Sequence, residues 1–150
     1  MPREPLDPIE LEPGETILAT AGASFRGAAA ASVRATFAFG AGRIRNRDYS
    51  EWRTAAVTSG FPPVPDDMVV AVTEQRLLFG KARMPGRGRV YTYELPLERI
   101  SQVASERHGM LVGLGIAMRG TGAMIELEAM RGRQLAHLAD VLDELLTARR

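Results

Sequence analysis

Residues 68–80 read Met-Val-Val-Ala-Val-Thr-Glu-Gln-Arg-Leu-Leu-Phe-Gly, the densest hydrophobic stretch in the chain. β-Branched residues dominate its first run, and both runs, Met68 to Thr73 and Leu77 to Gly80, fit strand length better than helix length. Thr73-Glu74-Gln75-Arg76 between them reads as a tight polar turn. The stretch therefore predicts two short buried strands, and the other elements are placed around them.

Upstream, Glu15 to Phe25 reads as a first strand, entered through a Pro13-Gly14 turn. Residues 1–13 hold four of the nine prolines and are acidic, which predicts an extended or disordered arm. Downstream, Arg83 to Arg89 reads as a loop, and Val90 to Leu95 as a strand with Tyr91, Tyr93 and Leu95 on one face. Pro96 marks its end, and Leu97 to Ala104 supplies a further strand through Ile100 and Val103. Leu111 to Met118 places Val112, Leu114, Ile116 and Met118 on one face and Gly113, Gly115 and Ala117 on the other. A glycine face of that kind invites close approach by another backbone. Ala123 to Met130 alternates most clearly, with Ile125 and Leu127 inward and Glu126 and Glu128 outward. At the end, Leu135, Leu138, Leu142 and Leu145 recur at steps of three and four, which predicts an amphipathic helix over 133–148.

Residues 26–60 differ from all of these. Val33, Phe37, Gly40, Ala41 and Ile44 make a helical stripe, and Asp48 with Glu51 resembles a capping box for a second helical start. Gly60 reads as the stop, with prolines at 62, 63 and 65 beyond it. A helix carrying one apolar stripe needs a surface to cover, and the open end of a small antiparallel barrel supplies one. The expected fold class is thus α+β, mainly β: seven antiparallel strands in a partly open barrel, a C-terminal capping helix, and a helical insertion between the first and second strands. At 150 residues this is one domain, 14–150, preceded by the arm.

Composition narrows the chemistry. The chain has no cysteine, which removes disulfides, thiolate zinc sites and cysteine nucleophiles and favours a reducing, cytoplasmic compartment. A net charge of +1 is too small to imply polyanion binding by bulk electrostatics, and no aromatic–basic platform points to nucleic acid. No stretch reaches the roughly 18 apolar residues of a membrane span, and the N-terminus lacks a signal peptide's basic start. His108 and His137 lie in no ligand or triad spacing. Gly113-x-Gly115 lacks the third glycine of a dinucleotide loop, and Glu126 and Glu128 have no identifiable partner acid or nucleophile. The residues themselves point to no catalytic group, metal or cofactor.

The order of elements and some residues resemble the bacterial pleckstrin-homology-like domains, relatives of the GRAM domain. The resemblance rests on Val69-Val70-Ala71-Val72-Thr73 with Arg76-Leu77-Leu78-Phe79-Gly80, on Leu95-Pro96-Leu97-Glu98-Arg99-Ile100, and on the terminal helix. It covers residues 14–148 apart from the insertion. It implies a partly open seven-stranded barrel plugged by one helix, acting as a binding or assembly module without enzymatic activity. Phosphoinositide-binding members carry a basic cluster in the loop between their first two strands; here the Ala/Arg-rich insertion occupies that place, so no binding residue transfers by position.

The insertion is the leading candidate site. Residues 26–53 hold six arginines against Asp48 and Glu51. The candidate surface is Arg26, Arg34, Phe39, Arg43, Arg45, Arg47, Trp52 and Arg53. Two outcomes stay open. One is a cytoplasmic, non-catalytic module working through protein contacts and self-association, with the insertion packed on the barrel. The other is a peripheral adaptor at the inner face of the cell membrane, whose basic amphipathic helix binds anionic lipid.

Overall fold

A computed structural model describes residues 7–25, 54, 56–65, 67–81, 90–121 and 124–149. Among the described residues, seven strands, β1 (Ile17–Phe25), β2 (Asp67–Thr73), β3 (Arg76–Lys81), β4 (Tyr93–Pro96), β5 (Ile100–His108), β6 (Leu111–Met118) and β7 (Met124–Met130), precede a C-terminal helix, α1 (Arg133–Ala148), and residues 54 and 56–58 are also helical. The strands form one antiparallel sheet in the order β4-β3-β2-β1-β7-β6-β5. α1 packs against β1, β2, β5 and β6, strands on either side of β7. The expected mainly β class, seven antiparallel strands and terminal helix are all present.

The hydrophobic stretch that predicts β2 and β3 is continuous for a structural reason. Val70, Val72, Leu77 and Phe79 enter the main core. Their neighbours Ala71 and Leu78 are also fully buried, in a second cluster on the opposite face with Tyr91, Ile9, Ile17 and Val69. A strand covered on both faces loses the polar half of its alternation. Within the expected N-terminal arm, Ile9 packs in this second cluster and its N–H donates to the Tyr91 carbonyl at 2.8 Å.

Three aromatic rings tie the main core together. Phe61 stacks edge-on between Phe25 of β1, at 6.1 Å, and Phe79 of β3, at 5.3 Å. Phe61 arrives there through a helix stop at Gly60, whose φ of 97° is left-handed. The Gly60 N–H bonds Val57 O and the Phe61 N–H bonds Ala56 O, the paired closure that a glycine at this position permits. Val64 is buried beside it, so the proline-rich return from the insertion is a plug in the core.

The boundaries around Pro96 differ from expectation. Residues 90–92 lie outside β4, Tyr91 faces away from Tyr93 and Leu95, and Leu97–Arg99 form a 3₁₀ turn instead of a strand. The cause is a crossing. Residue 90 passes so close to β3 that a Cβ on Gly80 would sit 2.1 Å from the Val90 carbonyl oxygen. β5 then starts at Ile100 and runs to His108, longer than predicted. On α1 the buried stripe is Leu135, Leu138, Ala139, Leu142 and Leu146; Leu145, expected in it, is only partly buried. Burying each such leucine contributes roughly 1.5–3 kcal/mol.

Candidate functional site

Two constellations of polar side chains stand out, at opposite ends of the strand order. The first sits at the β2–β3 turn. The Thr73 hydroxyl accepts the N–H groups of Gln75 and Arg76, both at 3.2 Å, which shapes the turn. The same hydroxyl donates to Glu15 Oε2 at 2.7 Å. Arg76 grips that carboxylate with both arms, Nε to Oε2 at 3.0 Å and Nη2 to Oε1 at 2.8 Å, and its Nη1 reaches Glu94 of β4. Nη2 also donates to the Glu10 carbonyl. The Glu15 side chain is fully buried, and its hydrogen bonds to Arg76 hold its pKa down at about 2 against the desolvation that opposes ionisation. Arg76 is pushed upward in turn, first by Glu15. A bidentate pair with its remaining lone pairs taken by Thr73 and the Glu12 N–H is a closed unit. It offers no open position to a substrate.

The second constellation is open. The β5–β6 hairpin turns at Gly109-Met110, with His108 opposite Leu111. That register, continued into β7, aligns Glu106, Gly113 and Glu128 in one row and Ala104, Gly115 and Glu126 in the next. All six lie on the face away from α1, since the alternate residues Val112, Leu114 and Ile116 are in the core. Two glycines with no side chain, walled by longer residues on both neighbouring strands, make a trough of about 240 Å³. Its lining also includes His108, Leu111 and Met124, and His108 Nε2 lies 3.1 Å from Glu106 Oε2. Glu106, Glu126 and Glu128 thus stand beside a glycine floor and Met124.

Glu126 and Glu128, expected to point outward to solvent, do lie on this outer face, but Glu128 is only 4% exposed. The glycine face, expected to receive another backbone, instead meets the Met124 side chain, 3.0 Å from where a Gly115 Cβ would stand. Gly80 is where backbones meet closely. Exposed Met110 and Met130 stand at the hairpin end of the trough, with Leu111 paired to Met130.

The sequence-predicted site residues Arg26, Arg34, Phe39, Arg43, Arg45, Arg47, Trp52 and Arg53 lie outside the described residues. Neither outcome for that surface is decided by this geometry. Among the described residues no cluster of His, Asp or Glu is arranged to hold a metal ion, and no helix is long and apolar enough to cross a membrane. Sequence reasoning noted Gly113, Gly115, Glu126, Glu128 and His108 one by one but missed Glu106. The two-residue turn at 109–110 is the signal that would have found it, because it fixes which residue of β5 faces Gly113. No protein-family model and no curated protein matches the chain.

Proposed function

We propose that the chain is a non-catalytic binding module of pleckstrin-homology-like, GRAM-related fold that works through protein contacts made on the outer face of β5 to β7. The observation that carries this reading is the trough over Gly113 and Gly115. It is a concave site built on strands, edged by the unusually exposed strand β5, whose residues 104–108 all face solvent. Exposed methionines at its rim adapt to varied apolar partners. The order of seven antiparallel strands with a helix laid across them supports the family resemblance drawn from Leu95-Pro96-Leu97-Glu98-Arg99-Ile100 and the β2–β3 hairpin.

Gly113→Leu tests it. An added Cβ at 113 meets nothing closer than 3.9 Å, so the backbone there accepts a side chain, which then projects into the trough. Light scattering across a concentration series, with affinity capture in parallel, should show complexes of the wild-type chain that the Gly113→Leu chain loses at unchanged circular dichroism and melting temperature. Equal complex formation by both chains would remove the trough as the contact site.

A further inference from the structure

Met124 stands on the outer face of β7 with Glu126 and Glu128 and is 41% exposed. Its Sδ lies 3.0 Å from the place a Gly115 Cβ would take, and its Cγ 3.8 Å away. A glycine inside a strand weakens that strand and marks a close approach. What approaches Gly115 is this thioether, laid across β6 where a side chain would otherwise stand. Met110 and Met130 are exposed at the hairpin end of the same trough, whereas Met68 and Met118 are sealed in the core. The chain has no cysteine, which leaves its thioethers as the side chains that take up an oxygen atom and give it back.

We propose that Met124 is a reversible oxidation site whose sulfoxide leaves the glycine floor of the trough. The oxidant is a hydroperoxide. A sulfur lone pair attacks the outer peroxide oxygen, the S–O bond forms as the O–O bond breaks, and the other oxygen leaves with the proton as water or an alcohol. Sulfur loses two electrons and the peroxide gains them. A dithiol-dependent reductase reverses the change: the oxygen departs as water and the dithiol becomes a disulfide. The sulfoxide oxygen is a strong acceptor and donates nothing. Among the described residues, the trough side chains nearest Gly115 in the register are Ala104, Glu106, Glu126 and Glu128, a methyl and three carboxylates, which have no hydrogen to offer that oxygen. Water has, so the oxidised side chain turns outward and uncovers Gly113 and Gly115. The effect on partners rests on the trough being the contact site, whereas oxidation and movement belong to the free chain.

The test treats the full chain with hydrogen peroxide and maps the added oxygen by peptide mass spectrometry. Met124 should react together with Met110 and Met130, and at least about tenfold faster than buried Met68 and Met118. In chain labelled with methyl-¹³C methionine, the Met124 methyl should show a nuclear Overhauser contact to Gly115, lose it in the sulfoxide and regain it after reductase treatment. Met124→Leu keeps the bulk without the sulfur, and circular dichroism checks its fold. Peroxide should leave its Gly115 amide signal in place while moving that of wild type. A Met124 that stays reduced while Met110 and Met130 react, a sulfoxide that keeps its contact with Gly115, or an equal Gly115 shift in peroxide-treated Met124→Leu would overturn the proposal. None of these results bears on the complexes that Gly113→Leu is expected to lose.

Discussion

The strands β1 to β4 and the strands β5 to β7 share one sheet and one helix, yet they are finished differently. The first group is covered on both faces, by the main core within and by Ile9, Ile17 and Tyr91 without. Its hairpin turn is tied by Arg76 and Thr73 to Glu15, about 60 residues away. The second group buries its inner face in the main core, while on its outer face Glu128 is buried and Glu106, Met124 and Met130 are exposed. Its outer face is floored by glycine, its edge strand is exposed along most of its length, and Met110, Met124 and Met130 stand in solvent. Both groups contribute fully buried residues to the main core, and the exposed surface of the sheet is concentrated on β5. That division is what a scaffold carrying a contact surface requires.

The contrast is sharpest in its ion pairs. Glu15→Ala removes one partner of a buried pair and leaves Arg76 with Glu94 and the Glu10 carbonyl, so it should cost about 3–5 kcal/mol in denaturant unfolding. Glu106→Ala, at an exposed pair with His108, should cost less than about 0.5 kcal/mol. Equal effects would erase the distinction between the two groups. Acid should act on the first group selectively. Because the folded pKa of Glu15, about 2, lies below its ordinary value of 4.5, its contribution is complete above pH 4.5 and is lost as pH falls towards 2. The loss should amount to about 3 kcal/mol over that interval, and the Glu15→Gln chain should show a flatter acid limb when urea midpoints are compared from pH 7 down to pH 3. The smallest contrast is between glycines. Gly80→Ala forces a Cβ against the Val90 carbonyl and should cost about 1–3 kcal/mol, whereas Gly113→Ala should leave the melting temperature within a degree or two of wild type.

How much of this was legible in the sequence follows from which interactions are local. β6, β7 and α1 were readable because one face of each is buried, so the periods of two and 3.6 survive in the residue pattern. β2 and β3 were readable from density alone, although the cause, a second cluster on the outer face, was not. Pro96 does end β4, and the β4–β5 region differs from expectation because the Gly80 crossing flips Tyr91 and Leu97–Arg99 form a 3₁₀ turn before β5. Phe61 and Val64 carry no period and gave no sign of entering the core. The Glu15–Arg76 pair was invisible for a physical reason: a buried ion pair between distant residues looks, residue by residue, like two ordinary surface charges. The trough was legible in fragments and needed the hairpin register to assemble them. The arginine and tryptophan surface of residues 26–53 falls where the structure describes nothing.

The turn at Thr73 to Arg76 lies inside a hairpin that closes over only a few residues, yet its partners are Glu15 and Thr16 on one side and Arg149, which donates to the Glu74 carbonyl, on the other. Separations of 58, 61 and 75 residues mean that these bonds must wait for long loops to close. On these separations the hairpin is expected to form early in folding and the cluster that seals it late, and φ-values near zero for Glu15 variants would check it. Interactions formed after the transition state act on the rate of leaving the native state and not on the rate of reaching it. The ion pair is therefore a latch in time as well as in space, expected to set how long each folded molecule lasts.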